Sequence, residues 1–145
     1  MYKFIASLML ALASMLTMPA TALAQAKGPV KVVYHINTDV DTIVPILNNI
    51  RNHLNADPTA KIVVVTHGPG INFLLQDAKD SKGREFSGAV SDLASQGVEF
   101  RVCNNTLTAN KINPDRLLME TKIVPSGVAE VARLQFQEGF AYLKP

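Results

Sequence analysis

The 145-residue chain contains a single cysteine, Cys103, and no tryptophan. Because no second cysteine is present, Cys103 cannot form a disulfide within the chain. Charge is also sparse, with 18% charged residues and a formal net charge of +2. Lysine and arginine are spaced singly, without the basic stripe or stacking aromatics that bind nucleic acid. We therefore expect no nucleic-acid partner.

The N-terminal segment predicts export. Residues 1–24 begin with Lys3, continue as an apolar stretch to about Met18 and end in Ala22-Leu23-Ala24. This is the pattern of a secretory signal peptide with an A-x-A cleavage site. The apolar stretch is shorter than the ~20 residues of a spanning helix, so an uncleaved anchor is the minor alternative. We expect a periplasmic or secreted protein without a stable membrane span after cleavage, and residues 25–145 as a single domain.

Four short β-branched runs alternate with four helix-like patterns. The runs cover residues 30–36, 61–67, 98–103 and 121–125, and the sequence "FAYLK" at 140–144 offers a fifth strand. Strands that alternate with helices imply βαβ crossovers and a parallel sheet. The sequence therefore predicts an α/β fold, specifically a three-layer α/β/α sandwich with a mainly parallel sheet of about five strands.

The predicted helices are bounded by capping and terminating residues. The first contains Pro45 in its opening turn and the second includes Phe86 to Leu93. The third is short and lies within residues 104–112. The proposed boundary residues are Asp39 or Asp41 before the first helix, Gly97 after the second, and Ser126 and Gly139 around the fourth.

Polar residues follow the strands at their carboxyl ends, the edge of a parallel sheet where ligands and reactive groups gather. In chain order they are His35, Asn37 and Asp39, then His67, Gly68 and Gly70, then Cys103, Asn104 and Thr106, then Ser126 and Gly127.

Cys103 is the strongest candidate for chemistry because it ends a strand shortly before a helix. Backbone amides and the helix dipole would stabilise a thiolate there. An inert, buried thiol that fills space is the alternative, and position alone does not separate the two. His35 and His67 end neighbouring strands. With Cys103 they allow a Cys-His pair, a Cys/His₂ metal site or simple hydrogen bonds at the strand ends.

The glycines in "HGPGIN" do not indicate a nucleotide site. Phe73 occupies the third glycine position of G-x-G-x-x-G, so the dinucleotide fingerprint fails and we expect no cofactor. Gly68 and Gly70 are instead predicted to let the backbone turn and pass close to its neighbours, including the Cys103 loop.

The chain resembles the DsrE/DsrF-like proteins, in particular their small exported branch. The likeness runs from about Val30 to Pro145 and is strongest in "GVEFRVC" at 97–103 and "VPSGV" at 124–128. It implies an α/β/α fold related to YchN-like proteins and assembly into homo-oligomers or mixed complexes. In sulfur-relay members, a cysteine after the third strand carries sulfane sulfur as a persulfide, and Cys103 matches that position.

The resemblance makes a sulfur carrier or sulfurtransferase-like component the leading interpretation. Its partners would be a sulfur donor or acceptor protein or a small thiol, and one cysteine suffices because a carrier needs no resolving thiol. The amides of Asn104 and Asn105 would hold the persulfide, and His35 or His67 would supply a proton. Ser126 is a further supporting residue at this edge. The alternatives are an oligomeric module that binds a small ligand or metal, and an interaction protein in which Cys103 only packs.

Overall fold

The computed structural model describes residues 28–145, and the predicted signal peptide lies outside the described residues. Five strands form one sheet in the order β4-β3-β2-β1-β5, and every neighbouring pair is parallel. The predicted α/β fold with a five-stranded parallel sheet is thus confirmed. The strands are β1 (Lys31–Ile36), β2 (Lys61–Thr66), β3 (Glu99–Cys103), β4 (Thr121–Val124) and β5 (Ala141–Leu143).

Four α-helices connect the strands, together with short 3₁₀ segments. A 3₁₀ helix replaces the predicted glycine-rich loop after β2. The α-helices are α1 (Ile43–Ala56), α2 (Ser87–Ser95), α3 (Asn104–Ala109) and α4 (Gly127–Glu138), and the 3₁₀ segments are Val40–Thr42, Gly68–Leu74 and Pro114–Arg116.

The helix boundaries test the capping predictions. At α4 the predicted boundary residues are confirmed. Ser126 Oγ accepts a hydrogen bond from the Ala129 amide, and Gly139 ends the helix with a left-handed φ of 72°. At α1 the predicted caps, Asp39 and Asp41, are wrong. The chain enters α1 through a 3₁₀ turn, so the N-cap is Thr42.

The larger core lies on one face of the sheet. There α1, α2, α3 and the Gly68–Leu74 segment pack against alternate strand residues such as Val32, Val64 and Phe100. Burial of apolar surface contributes roughly 25 cal/mol per Å², so this face supplies most of the hydrophobic stabilisation.

The opposite face is covered by α4, which packs Val131 and Leu134 against Val33, Val63 and Val65. Because β4 and β5 lie at opposite edges, α4 crosses the sheet between them. An ion pair between Arg101 of β3 and Glu130 of α4 ties the helix to the sheet. The crossing brings the first turn of α4 over the carboxyl ends of β2 and β3.

No helix within residues 28–145 has both the length and the apolar character needed to cross a membrane.

Candidate functional site

Cys103 and His67 occupy equivalent positions on neighbouring strands. Thr66 pairs with Val102, so His67 and Cys103 are the next residues along two adjacent parallel strands. The first turn of α4 packs onto both. A Cβ atom placed on Gly127 would lie 3.1 Å from His67 Cβ and 3.2 Å from Cys103 Cβ. Glycine at this position therefore allows the helix to approach the two side chains closely.

Cys103 is a buried residue, with 5% of its surface exposed. It is also the N-cap residue of α3. A side chain at the N-cap faces the amides of the second and third helical residues, which here are Asn105 and Thr106. The Asn105 amide also donates a hydrogen bond to the carbonyl oxygen of Pro125 at 3.3 Å. The amide of Gly127, at the start of α4, and the hydroxyl of Thr106 also act on the thiol. The thiol is thus enclosed by hydrogen-bond donors.

Two opposing effects determine the pKa of Cys103. Burial raises the pKa of the thiol, because it penalises the charged thiolate. The amide of Gly127, the hydroxyl and amide of Thr106 and the amide of Asn105 lower it, because they stabilise the thiolate. The donors prevail, and the pKa lies below that of an ordinary cysteine. The side chain makes no capping hydrogen bond of standard geometry to α3.

The Thr106 hydroxyl is oriented by the loop after β2. The Gly68 amide donates a hydrogen bond to Thr106 Oγ1 at 3.0 Å, which leaves the hydroxyl proton free to point to the sulfur. Gly68 has φ of 54°, a conformation that favours glycine. The predicted link between this loop and the Cys103 segment is therefore present, through Thr106.

His35 and His67 bind each other. Their Nε2 atoms are 2.6 Å apart, and His35 Nδ1 lies 2.8 Å from the hydroxyl of Tyr142. Burial lowers the pKa of His35, as do the charges of His67 and Lys144. Burial and the charge of Lys144 lower the pKa of His67. The two rings therefore favour the neutral form near pH 7 and share one proton along the Nε2–Nε2 contact.

The two rings hydrogen-bond each other and Tyr142 rather than Cys103. Within residues 28–145, no group of three or more His, Cys, Asp and Glu side chains is arranged to hold a metal ion. The Cys/His₂ metal site that the sequence left open is therefore not assembled in the described part of the chain.

The other predicted site residues have structural positions. Gly70 packs on the end of β1 rather than on the Cys103 loop: an added Cβ would lie 2.3 Å from the carbonyl oxygen of Ile36. Asn104 is the exposed first residue of α3. The amides that act on the sulfur are those of Asn105 and Thr106. Ser126 caps α4 and so fixes the helix turn that carries Gly127.

Sequence reasoning assigned no role to three residues of this site. Thr106 and Gly127 were recognised at the carboxyl edge, but their contacts with the sulfur depend on the helix register and on the path of α4. Tyr142 was missed. It reaches His35 because β5 pairs with β1, an arrangement that depends on the strand order.

Comparison with known proteins places this site in a family. The model of the DsrE/DsrF-like family matches residues 20–145. The chain is similar in structure to MTH1491 from Methanobacterium thermoautotrophicum, a protein of unknown function. The TM-score is 0.71 at 38% sequence identity, covering 80% of this chain and 99% of that one.

The chain also resembles the YchN protein from E. coli in fold, with a TM-score of 0.64 at 12% identity, covering 81% of this chain and 97% of that one. No curated protein matches the sequence. The family match extends over nearly all of the chain and includes every residue of the carboxyl-edge site. The chain therefore belongs to the DsrE/DsrF-like family.

Proposed function

We propose that this protein is an exported sulfur carrier that holds one sulfur atom as a persulfide on Cys103. One observation carries the proposal: hydrogen-bond donors from α3 and α4 surround the thiol and lower its pKa despite its burial. A thiolate is the form of cysteine that attacks sulfur, and the same donors would stabilise the anionic persulfide that results.

The chemistry requires one thiol. The Cys103 thiolate attacks the terminal sulfur of an inorganic polysulfide, a new S–S bond forms at Cys103, and the neighbouring S–S bond of the donor breaks. The shortened polysulfide leaves with the bonding electron pair. A second thiolate, on a protein or a small thiol, then attacks the outer sulfur and restores Cys103. No second cysteine of this chain takes part.

A second candidate follows from the burial of Cys103. With 5% of its surface exposed, the residue also has the character of a cysteine that only packs. The protein would then be an oligomeric binding or interaction module, as the sequence also allowed. The two candidates differ in one property: a sulfur carrier must admit a small sulfur donor to Cys103.

Intact-mass measurement after incubation with polysulfide separates the two candidates. A carrier gains about 32 Da, one sulfur atom, as in persulfidation, and loses it when a small thiol is added. Cys103→Ser removes the gain. A wild-type protein whose mass stays unchanged, together with slow alkylation of Cys103 in the folded state, would contradict the carrier and support the packing candidate.

Export is part of the proposal and rests on residues 1–24. Expression of the full chain in a Gram-negative host, followed by cell fractionation and N-terminal sequencing, tests it. We expect the mature protein to begin at Gln25 in the periplasmic fraction. A full-length chain in the cytoplasm would contradict export without affecting the chemistry of Cys103.

A further inference from the structure

His35, His67 and Tyr142 form a hydrogen-bonded row next to Cys103. The row uses one residue from each of three adjacent strands or strand ends, in the spatial order β2, β1, β5. The contacts are His67 Nε2 to His35 Nε2 at 2.6 Å and His35 Nδ1 to the Tyr142 hydroxyl at 2.8 Å. Each group in such a row can donate in one direction and accept from the other.

All these side chains lie on the face of the sheet covered by α4. Side chains alternate along a strand, so His35 shares the face of Val33 and His67 shares the face of Val65. Val33 and Val65 both pack against α4. Tyr142 pairs with Val33 across β1 and β5 and therefore projects to the same side.

The two ends of the row differ in exposure. Tyr142 is 41% exposed and can exchange protons with water. At the other end, His67 is partly buried, and its Cβ and that of Cys103 both lie within 3.2 Å of the position that a Cβ on Gly127 would take. The row thus connects solvent at an edge strand with the neighbourhood of a thiol that is itself buried.

We infer that this row is a proton relay for sulfur transfer at Cys103, in which His67 protonates the leaving sulfur and Tyr142 restores the proton from solvent. The inference rests on the proposed sulfur-carrier function and assigns its acid. His67 would act directly on the donor, whereas His35 and Tyr142 are positioning residues that act through it.

The transfer of one sulfur atom from polysulfide to Cys103 consumes one proton. The Cys103 thiolate attacks a polysulfide dianion of n sulfur atoms, and the protonated histidine pair gives its proton to the polysulfide that leaves. The products are the Cys103 persulfide anion, a hydropolysulfide anion of n − 1 sulfur atoms and the neutral pair. No electron donor or acceptor is required beyond the polysulfide, whose S–S bond breaks as the new one forms. A leaving group with two negative charges is poor, so its protonation accelerates the step.

The groups that act on the pair favour release of its proton. Burial lowers the pKa of both rings, and the charge of Lys144, the residue that follows β5, lowers it further. Cys103 lies beside His67 at the end of the neighbouring strand β3, and the Tyr142 hydroxyl binds His35 from β5. A protonated pair in this setting is a stronger acid than free imidazole.

Two reactions of the same thiol distinguish a relay from a structural role. Transfer of sulfur from polysulfide needs a proton on the leaving group, whereas alkylation by iodoacetamide releases iodide, which needs none. We expect His67→Gln to slow sulfur transfer about a hundredfold, the low end for general acid catalysis, and to leave alkylation within about twofold of the wild-type rate. Tyr142→Phe should slow transfer about tenfold without changing alkylation.

The chain offers a matched control on the opposite face. Tyr34 and His53 form a second Tyr–His hydrogen bond, with the hydroxyl 2.9 Å from His53 Nδ1, and Tyr34 belongs to the core on the face opposite α4. His53→Gln should leave both reactions unchanged. In the wild-type protein, both rates are proportional to the fraction of Cys103 that is ionised, so the ratio of the transfer rate to the alkylation rate does not depend on that fraction. This ratio should fall with rising pH, and the fall should be lost in His67→Gln.

Each other result counts against the relay. If His67→Gln and Tyr142→Phe transfer sulfur at the wild-type rate, the relay is wrong and the carrier function stands. If both variants lose transfer and alkylation together, the row has a structural role. If the wild-type protein accepts no sulfur, the proposed function fails and the relay fails with it.

Discussion

Among single residues, the reactivity of Cys103 depends on a balance between the burial of its thiol and the hydrogen-bond donors around it. Two neighbouring residues that do not themselves react with sulfur, Gly127 and Thr106, control this balance. Gly127 allows α4 to bring its first amide to the sulfur, and Thr106 contributes a hydroxyl held by the Gly68 amide. Removing either contribution should raise the pKa of the thiol while Cys103 stays in place.

The Thr106 hydroxyl provides the cleanest test at this scale. Thr106→Val removes the hydroxyl but keeps the branched shape, so we expect the pKa of the thiol to rise and the alkylation rate at pH 7 to fall. Thr106→Ser keeps the hydroxyl and should restore most of the rate. The measurement is alkylation of the folded protein followed by mass spectrometry. Equal rates in the two variants would mean that the hydroxyl does not act on the sulfur.

At the scale of secondary-structure elements, the sequence predicted most of the scaffold and part of the site. The β-branched runs predicted four strands, the short run at 140–144 predicted the fifth, and Ser126 and Gly139 predicted the limits of α4, because these signals are local. The prediction of the N-cap of α1 was wrong because a 3₁₀ turn precedes the helix. The partners of Cys103, His35 and Tyr142 depend on strand order and on the path of α4, which local patterns do not contain.

The histidine pair joins β1, the end of β2 and β5, so its ionisation should affect their stability. The folded state lowers the pKa of His35 and His67, whereas the unfolded chain titrates near the usual value of about 6.5. The unfolded chain therefore binds more protons in this range. Stability is complete above about pH 6.5 and is lost as the pH falls toward the lower, folded pKa values.

We expect the Tm of the wild-type protein to fall between about pH 7 and pH 5, the range below the usual histidine pKa. Lys144→Gln should weaken this dependence, because the lysine charge contributes to the lowered pKa of both rings. The double variant His35→Gln, His67→Gln should weaken it further. Thermal unfolding across this pH range measures the slope, and a slope unchanged in the double variant would contradict the assignment.

At the scale of the whole molecule, the thin covering of one sheet face leaves apolar side chains on the outer surface of α4. Phe136 is 93% exposed and Val128 is 60% exposed, and Ala132 lies between them at a spacing of four residues on either side. Residues four apart share a helix face. We propose that this stripe is the contact between copies of the chain in the homo-oligomer that the family resemblance implies.

Substitution of Phe136 tests this contact. We expect the wild-type protein to be oligomeric at micromolar concentration and Phe136→Asp to reduce its mass in light scattering toward that of one chain. Met119→Asp is the matched control, because Met119 is 94% exposed and lies outside α4. A monomeric wild-type protein, or equal dissociation by the two substitutions, would rule out the α4 stripe as the contact.

If the donors around Cys103 outweigh its burial, the nearly enclosed thiol ionises more readily than a free one, and the pH profile of its alkylation shows this. The rate for the folded wild-type protein would be recorded from pH 5 to pH 10 and compared with the same chain in denaturant. We expect a midpoint below the ordinary cysteine value of about 8.5 in the folded state. A midpoint at or above the denatured value would show that burial prevails and that the donors do not activate Cys103.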